Sequence, residues 1–390
     1  MLRFATAGES HGQGLVAWLA GLPAGIPIDL SVLNRELKRR QEGYGRGGRM
    51  KIESDRAEIL SGVRRSKTTG APVAMLIANK DWVNWQEALP VEEQEQTPEK
   101  YKPLNPPRPG HADLAGCLKY NFHEARYVLE RASARESAAR VAAGGLAKLL
   151  LAQFGIEVLS HVIAVGNVHS RVAATWKQIQ AVCAKQDTLF RCVDSEAEVQ
   201  MKAAVDGVLR TGDSLGGIFE VIAHGVPAGV GTHANWDERL DGLLAQAVMS
   251  LQAVKAVEIG TGIENAVSLG SHVHDQIDYD HQEQRFTRPE NHAGGLEGGI
   301  ANGEDIVVRG YLKPISTLRR PLQSVHMETK EAVQAAYERS DVCVVPAAGV
   351  AAEAMVALTV ARAFLEKFGG DSIEETRRNF DGYREQVRTF

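Results

Sequence analysis

The chain has 390 residues, of which 44% are hydrophobic and 24% charged, and its 44 basic and 49 acidic residues leave a formal net charge of -5. A chain of this size and composition folds around its own core without a disulfide or metal staple. The balance of charge excludes a general nucleic-acid or anionic-membrane binder, so any anion site must be a local patch.

Residues 2–7 form a short apolar run that predicts a strand ending at Gly8. Residues 15–22 are again apolar and are broken by Pro23, Gly25 and Pro27. Residues 30–40 read as a helix, with Leu33 and Leu37 at i, i+4 spacing and Ser31 as its cap. Residues 80–110 predict a long loop excursion, punctuated by Pro90, Pro98, Pro103, Pro106, Pro107 and Pro109. Residues 133–154 carry the best helix pattern, opening on Ser133-x-x-Glu136 as a capping box. Residues 157–168 and 217–226 have β-type composition, 171–205 is helix-like, and 237–257 is helical by period. A glycine-dense loop at 293–303, a helix over 347–368 and a polar tail complete the chain. Helices and strands alternate without a regular βαβ rhythm, which favours a mixed α/β fold over a doubly wound one. A single domain over residues 1–390 is expected.

Cys117, Cys183, Cys192 and Cys343 form no C-x-x-C pair and read as small buried thiols of a reducing compartment. The opening MLRFATAGESHG has no basic segment followed by an apolar one, and no uncharged apolar run reaches about 18 residues. A cytoplasmic protein with no membrane partner is expected.

Several segments carry chemistry. Arg39, Arg40, Arg46 and Arg49 fall in RRQEGYGRGGR, where glycines let the backbone turn while guanidinium groups project. Guanidinium binds phosphate and carboxylate bidentately and keeps its charge. The alternative for 39–49 is a non-catalytic anion- or RNA-binding module. The G-x-G-x-x-G spacing of Gly43, Gly45 and Gly48 follows a basic helix and not an apolar strand, so it is not a dinucleotide fingerprint. GESHG at 8–12 matches G-x-S-x-G, which makes a serine hydrolase built on Ser10 a competing reading. RPGHAD at 108–113 puts His111 on a Pro-Gly turn, where its pKa range suits proton transfer. RASARE at 131–136 places Arg131 and Arg135 at a helix N-terminus, a natural anion site. His272, His274 and Asp275 are similar to an H-x-H-x-D metal motif but one residue too close, with Asp275 directly after His274; Gln276 stands where a further histidine would follow, and no metal is expected. The loops GGLEGGIANG at 294–303 and KPIST at 313–317 suit close approach to a flat or phosphorylated ligand.

In their order along the chain, GESHG, RRQEGYGRGGR, RPGHAD, RASARES, GDSLGG at 212–217, GGIANG at 298–303, KPIST and ERSDVCVVPAAGVAAEAM at 338–355 resemble the chorismate synthase family. Ala301 and Ser137 replace the serine and threonine common there. The resemblance implies a sandwich of antiparallel sheets flanking central helices, assembled as a homotetramer. It implies a 1,4-anti elimination of phosphate from 5-enolpyruvylshikimate 3-phosphate to give chorismate, with reduced FMN, in aromatic amino-acid biosynthesis. It further implies proton roles for His11, His111 and Asp341, and substrate contacts from Ser10, Arg40, Arg49 and Arg135. Flavin contacts would come from Arg46, Arg131, Ala132, Ser133, Gln252, Ala253, Gly298, Lys313, Pro314, Ile315, Ser316, Thr317 and Arg339. The family also links Arg40 and Arg46 to NADPH. With no separate dinucleotide domain visible, NADPH or a flavin reductase would act as external reductant.

Overall fold

The computed structural model describes residues 1–47, 54–93, 101, 103–185, 188–336 and 341–390. Two antiparallel sheets enclose a helical centre. The first sheet begins with the hairpin Arg3–Gly8 and Gly14–Ala20, then adds Val73–Ala78 and Glu58–Ile59. Leu15, Ala17 and Leu19 alternate inward with Val73, Met75 and Ile77, as period-2 burial on one face requires. The second sheet runs Val254–Ile259, Ile306–Leu312, Gly217–His224, Glu157–Val165 and Val168–His169.

Between the sheets lie α1 (Leu30–Gln41), α4 (Ser137–Ala152) and the long helix Val345–Phe368, with Leu240–Met249 beside them. Helix α4 packs on the first sheet, and the long helix packs on α4 and the second sheet. The fold is thus the sandwich that the sequence resemblance implied. Two shorter helices, α2 (Asp113–Tyr120) and α3 (Arg126–Ala132), lie between the first sheet and α4 in the chain.

Small residues set the spacing of the helical layer. A Cβ on Gly144 of α4 would run into the Cβ and Cα of Ala354 on the long helix. The backbones therefore approach as closely as glycine allows. Valine at 144 is expected to cost roughly 1–3 kcal/mol by overpacking, read as a lower urea midpoint with an unchanged slope. The long helix is the one helix among the described residues long and apolar enough to cross a membrane, and 78% of its apolar window is buried inside the protein.

Local details correct the sequence expectations. Asp29, and not Ser31, caps α1: its carboxylate accepts from the Ser31 N–H at 2.8 Å. Ser133 caps a short 3₁₀ turn, Ala134–Glu136, by accepting from the Arg135 N–H. No capping box forms, because the Glu136 carboxylate is taken up by Thr6, Arg140 and Gln252. The helix expected over 237–257 spans only Leu240–Met249; Ala253 adopts φ 69° and the chain continues as a strand. The glycine-dense loop contains a tight hairpin, Leu296–Glu297 with Ile300–Ala301. The polar tail is a helix, Ile373–Arg388, that buries Ile373, Thr376 and Phe380. In the excursion at 80–110, the described residues include a 3₁₀ turn at Lys80–Asn84.

Candidate active site

A cavity of about 700 Å³ opens between the first-sheet hairpin, α3, the long helix and the KPIST loop. Its wall brings together Ser10, His11, Arg40, Arg46, His111, Ala132, Ser133, Arg135, Gln252, Ala253, Lys313, Ile315, Ser316, Thr317 and Asp341. Residues from seven separated segments thus meet at one place. Pro314 does not line it, and Gly298 sits in its own hairpin away from it. Arg131 is 45% exposed and turns back onto the Thr6 and Gly8 carbonyls, beside the cavity. Arg49 and Arg339 lie outside the described residues.

One wall is cationic. Arg40, at the end of α1, donates to Asp55 at 2.7 Å and to Ser137 Oγ at 3.4 Å. Arg135 clamps both oxygens of Asp55 at 2.7 Å and donates twice to Asn79 Oδ1. Asn79 in turn donates to the carbonyls of Glu9, Ser10 and Gly12, tying the arginine to the loop that carries His11. Asp55 is fully buried, and its carboxyl is held low: burial would raise it, but Arg40 and Arg135 outweigh that. Arg40 is pushed down to about 10, first by burial and then by Arg135 and Arg46, against the pull of Asp55. Its buried Nε finds no hydrogen-bond partner among the described residues. Arg46 pairs with Asp341 at 3.3 Å, and Asp341 also accepts from the Gly47 N–H.

Each histidine is presented by a carboxylate. His11 Nδ1 lies 2.9 Å from Glu130 Oε1 on α3. His111 Nδ1 lies 2.5 Å from Asp113 Oδ1, in the first turn of α2. Asp113 is fully buried and also receives Arg108 at 2.8 Å. Burial would raise its carboxyl; the bonds from His111 and Arg108 hold it well below the usual range. Arg108 reaches Thr317 Oγ1 at 3.1 Å, and Lys313 Nζ donates to the Gly110 carbonyl at 2.7 Å. The Pro-Gly turn and the KPIST loop are thereby locked together. Burial, and then Lys255, lowers the Lys313 ammonium.

Ser10 is not on a nucleophile elbow. The chain after it returns as the antiparallel strand Gly14–Ala20, where the elbow needs a helix. Gly43 and Gly45 take φ 112° and 84° in the turn after α1, and a Cβ on Gly45 would press on Cys343 and Val205. They shape a turn packed against the chain before the long helix. Asp275, Glu290 and His292 come together away from this cavity, with Asp275 accepting from the N–H groups of His292 and Ala293.

Sequence reading missed Asp55, Asn79, Trp85, Arg108, Asp113 and Glu130. Of these, Arg108 and Asp113 lay inside the quoted RPGHAD and could have been chosen. Asp55, Trp85 and Glu130 lie in segments with no motif, and only the fold brings Trp85 to the cavity wall and the two carboxylates behind Arg40, Arg135 and His11.

A profile of the chorismate synthase family matches residues 2–365. The chain belongs to the chorismate synthase family. It is 65% identical to a chorismate synthase of Acidobacterium capsulatum and 64% identical to that of Solibacter usitatus, in each case over the whole of both chains. A crystal structure of chorismate synthase superposes with a TM-score of 0.80 at 41% identity, covering 100% of this chain and 99% of the other. The chain is accordingly a lyase: chorismate synthases eliminate phosphate from 5-enolpyruvylshikimate 3-phosphate to give chorismate.

Proposed function

We propose that the 700 Å³ cavity holds the enolpyruvyl phosphate substrate against a reduced FMN, and that His11 protonates the departing phosphate. The observation that carries this reading is the cationic wall. Arg40 and Arg135 share one carboxylate, and the buried Nε of Arg40 has no hydrogen-bond partner among the described residues. That wall is short of negative charge, which a substrate with two carboxylates and a phosphate supplies.

The residues present also fit a flavin. Ala347, Ala348 and Ala351 leave a flat, apolar face on the long helix, while Arg46, Ser133, Gln252, Ala253, Lys313, Ser316 and Thr317 offer polar groups around it. When bound, a reduced flavin lends electron density to the substrate with no net redox change. Ser10, Arg40 and Arg135 orient the substrate anions; Arg49 joins them in this reading. His111, steadied by Asp113 and Arg108, keeps the proton balance on the flavin side of the cavity. Asp341, held by Arg46 and Gly47, assists the deprotonation. Arg131, Gly298 and Pro314 stand off this chain's own cavity wall and Arg339 completes the set only in the family pattern, so these four rest on the resemblance alone.

Reducing equivalents come from outside, from NADPH or a separate flavin reductase. The working form is a cytoplasmic homotetramer; exposed Leu118, Tyr120, Tyr127 and Trp236 offer apolar surface for contacts. The test is an anaerobic assay with reduced FMN and the enolpyruvyl phosphate. Chorismate and phosphate should appear in equal amounts. No product under these conditions, or covalent labelling of Ser10 by a fluorophosphonate, overturns the reading.

A further inference from the structure

We propose that Glu130 is a positioning residue for His11, fixing the orientation and proton placement of its ring so that Nε2 serves the cavity. The inference rests on the reading of His11 as proton donor.

The geometry is unusually complete. Glu130 has a side chain only 3% exposed, and its two oxygens lie 2.9 and 3.2 Å from His11 Nδ1. Oε2 also accepts the His11 backbone N–H at 2.7 Å. One carboxylate therefore grips the main chain and the ring of the same residue. The Ser10 N–H donates to the Glu130 carbonyl at 3.0 Å, so the loop is docked on the helix at a third point. Trp85 stacks on the imidazole with centroids 4.1 Å apart and planes 30° apart. Carboxylate in the plane and indole on the face leave the ring one orientation. In it, Nδ1 points to Glu130 and Nε2 points away.

A carboxylate on Nδ1 does two things. It requires a hydrogen on Nδ1 in the neutral ring, and it favours the charged ring over the neutral one. The Glu130 carboxyl itself is held low: burial would raise it, and the His11 hydrogen bond and charge outweigh that. The other charged groups around this wall are Arg126 on α3, Glu9 on the His11 loop, Asp81 on the 3₁₀ turn, and Arg40, Arg46 and Arg135 on the cationic side. Arg126 meets Glu130 at 3.3 Å and lies over Trp85, so it backs the clamp. At the second histidine the arrangement differs. Arg108 bonds Asp113 and also lies 3.0 Å from His111 Nδ1, so a guanidinium shares that carboxylate at the ring itself.

The experiment follows His11 by nitrogen-detected NMR in the flavin-free protein and, separately, by turnover of the loaded enzyme. In wild type the neutral ring should carry its hydrogen on Nδ1; a neutral ring with hydrogen on Nε2 overturns the proposal without any variant. In E130Q, whose amide can donate as well as accept, the neutral ring should no longer hold its hydrogen on Nδ1 alone but populate both tautomers. Turnover should fall roughly 10- to 100-fold, as for other groups that orient a working histidine. E130D, which keeps an acceptor-only carboxylate, should recover the Nδ1 tautomer. In an H11N background, E130Q should change turnover by less than about 3-fold, since the two residues act as one unit. An unchanged His11 tautomer in folded E130Q, or an equal loss of turnover with and without His11, sinks the proposal. Wild-type turnover of H11N would instead remove the proton-donor reading and leave the NMR result standing.

Discussion

For His11→Asn, and separately for His111→Asn, turnover is expected to fall roughly 100- to 10,000-fold at neutral pH, the usual worth of a positioned proton-transfer group. Asparagine is the informative choice. Its amide can still donate to Glu130 or Asp113, the carboxylates that His11 and His111 contact at 2.9 and 2.5 Å. The packing and the carboxylate partner are kept, while the second nitrogen is lost. The two losses should differ in kind. On the proposed roles, the proton missing at His11 is the one given to the leaving phosphate, so single-turnover elimination should slow. The one missing at His111 lies, on the same proposal, on the flavin side, so the rate should depend on how the reduced flavin is protonated at the pH of the assay. Rapid-quench measurement of phosphate release under anaerobic conditions reads both. Turnover like wild type in either variant removes that residue from the mechanism.

The largest stability effect is expected at Glu353. This carboxylate is fully buried on the long helix, where Arg39 donates to it at 2.7 and 2.8 Å, Ser160 through its N–H at 2.8 Å and its hydroxyl at 2.6 Å, and Lys148 through its ammonium. It joins α1, α4, the long helix and the second sheet at one point. Alanine there leaves Arg39 and Lys148 to share Glu36 alone, and breaking a buried pair from one side costs about 3–5 kcal/mol. Urea unfolding measures this. The same group gives the protein an acid limit. Burial would raise the Glu353 carboxyl, but Arg39 and Lys148 hold it down at about 2, against an ordinary value of 4.5. A carboxyl depressed in the folded state contributes stability above its ordinary value and loses it as the pH falls towards the folded one. Wild type should therefore lose stability between about pH 4.5 and about pH 2. E353Q should show a shallower slope in that window. An unchanged slope would show that Glu353 does not set the limit.

The parts of the fold legible in the sequence were those that a periodic pattern or a stop signal writes locally. Leu33 and Leu37 mark α1, short apolar runs mark the strands of the first hairpin, and the alanine-rich run after Pro346 marks the long helix. Periodicity failed at 237–257, because a turn at Ala253 splits an apolar stretch into helix and strand without a glycine or proline to announce it. The capping box at Ser133 failed because Glu136 has stronger partners across the fold than the helix end beside it. The site divides the same way. Arginines and histidines stand in motifs, so sequence found them. The carboxylates that hold them, Asp55 and Glu130, lie 15 and 119 positions away from Arg40 and His11. Nothing local distinguishes those two from any solvent-facing acid.

Asp55 has a consequence for the order of events. Because it already holds Arg40 and Arg135 together, the two guanidinium groups need not be gathered when an anion arrives. Their ordering is completed when the chain folds, and binding proceeds on a rigid template. Such a template does not distinguish what is about to react from what has just been released. Free inorganic phosphate should compete for it, and leave it quickly only because Asp55 has already cancelled part of the attraction.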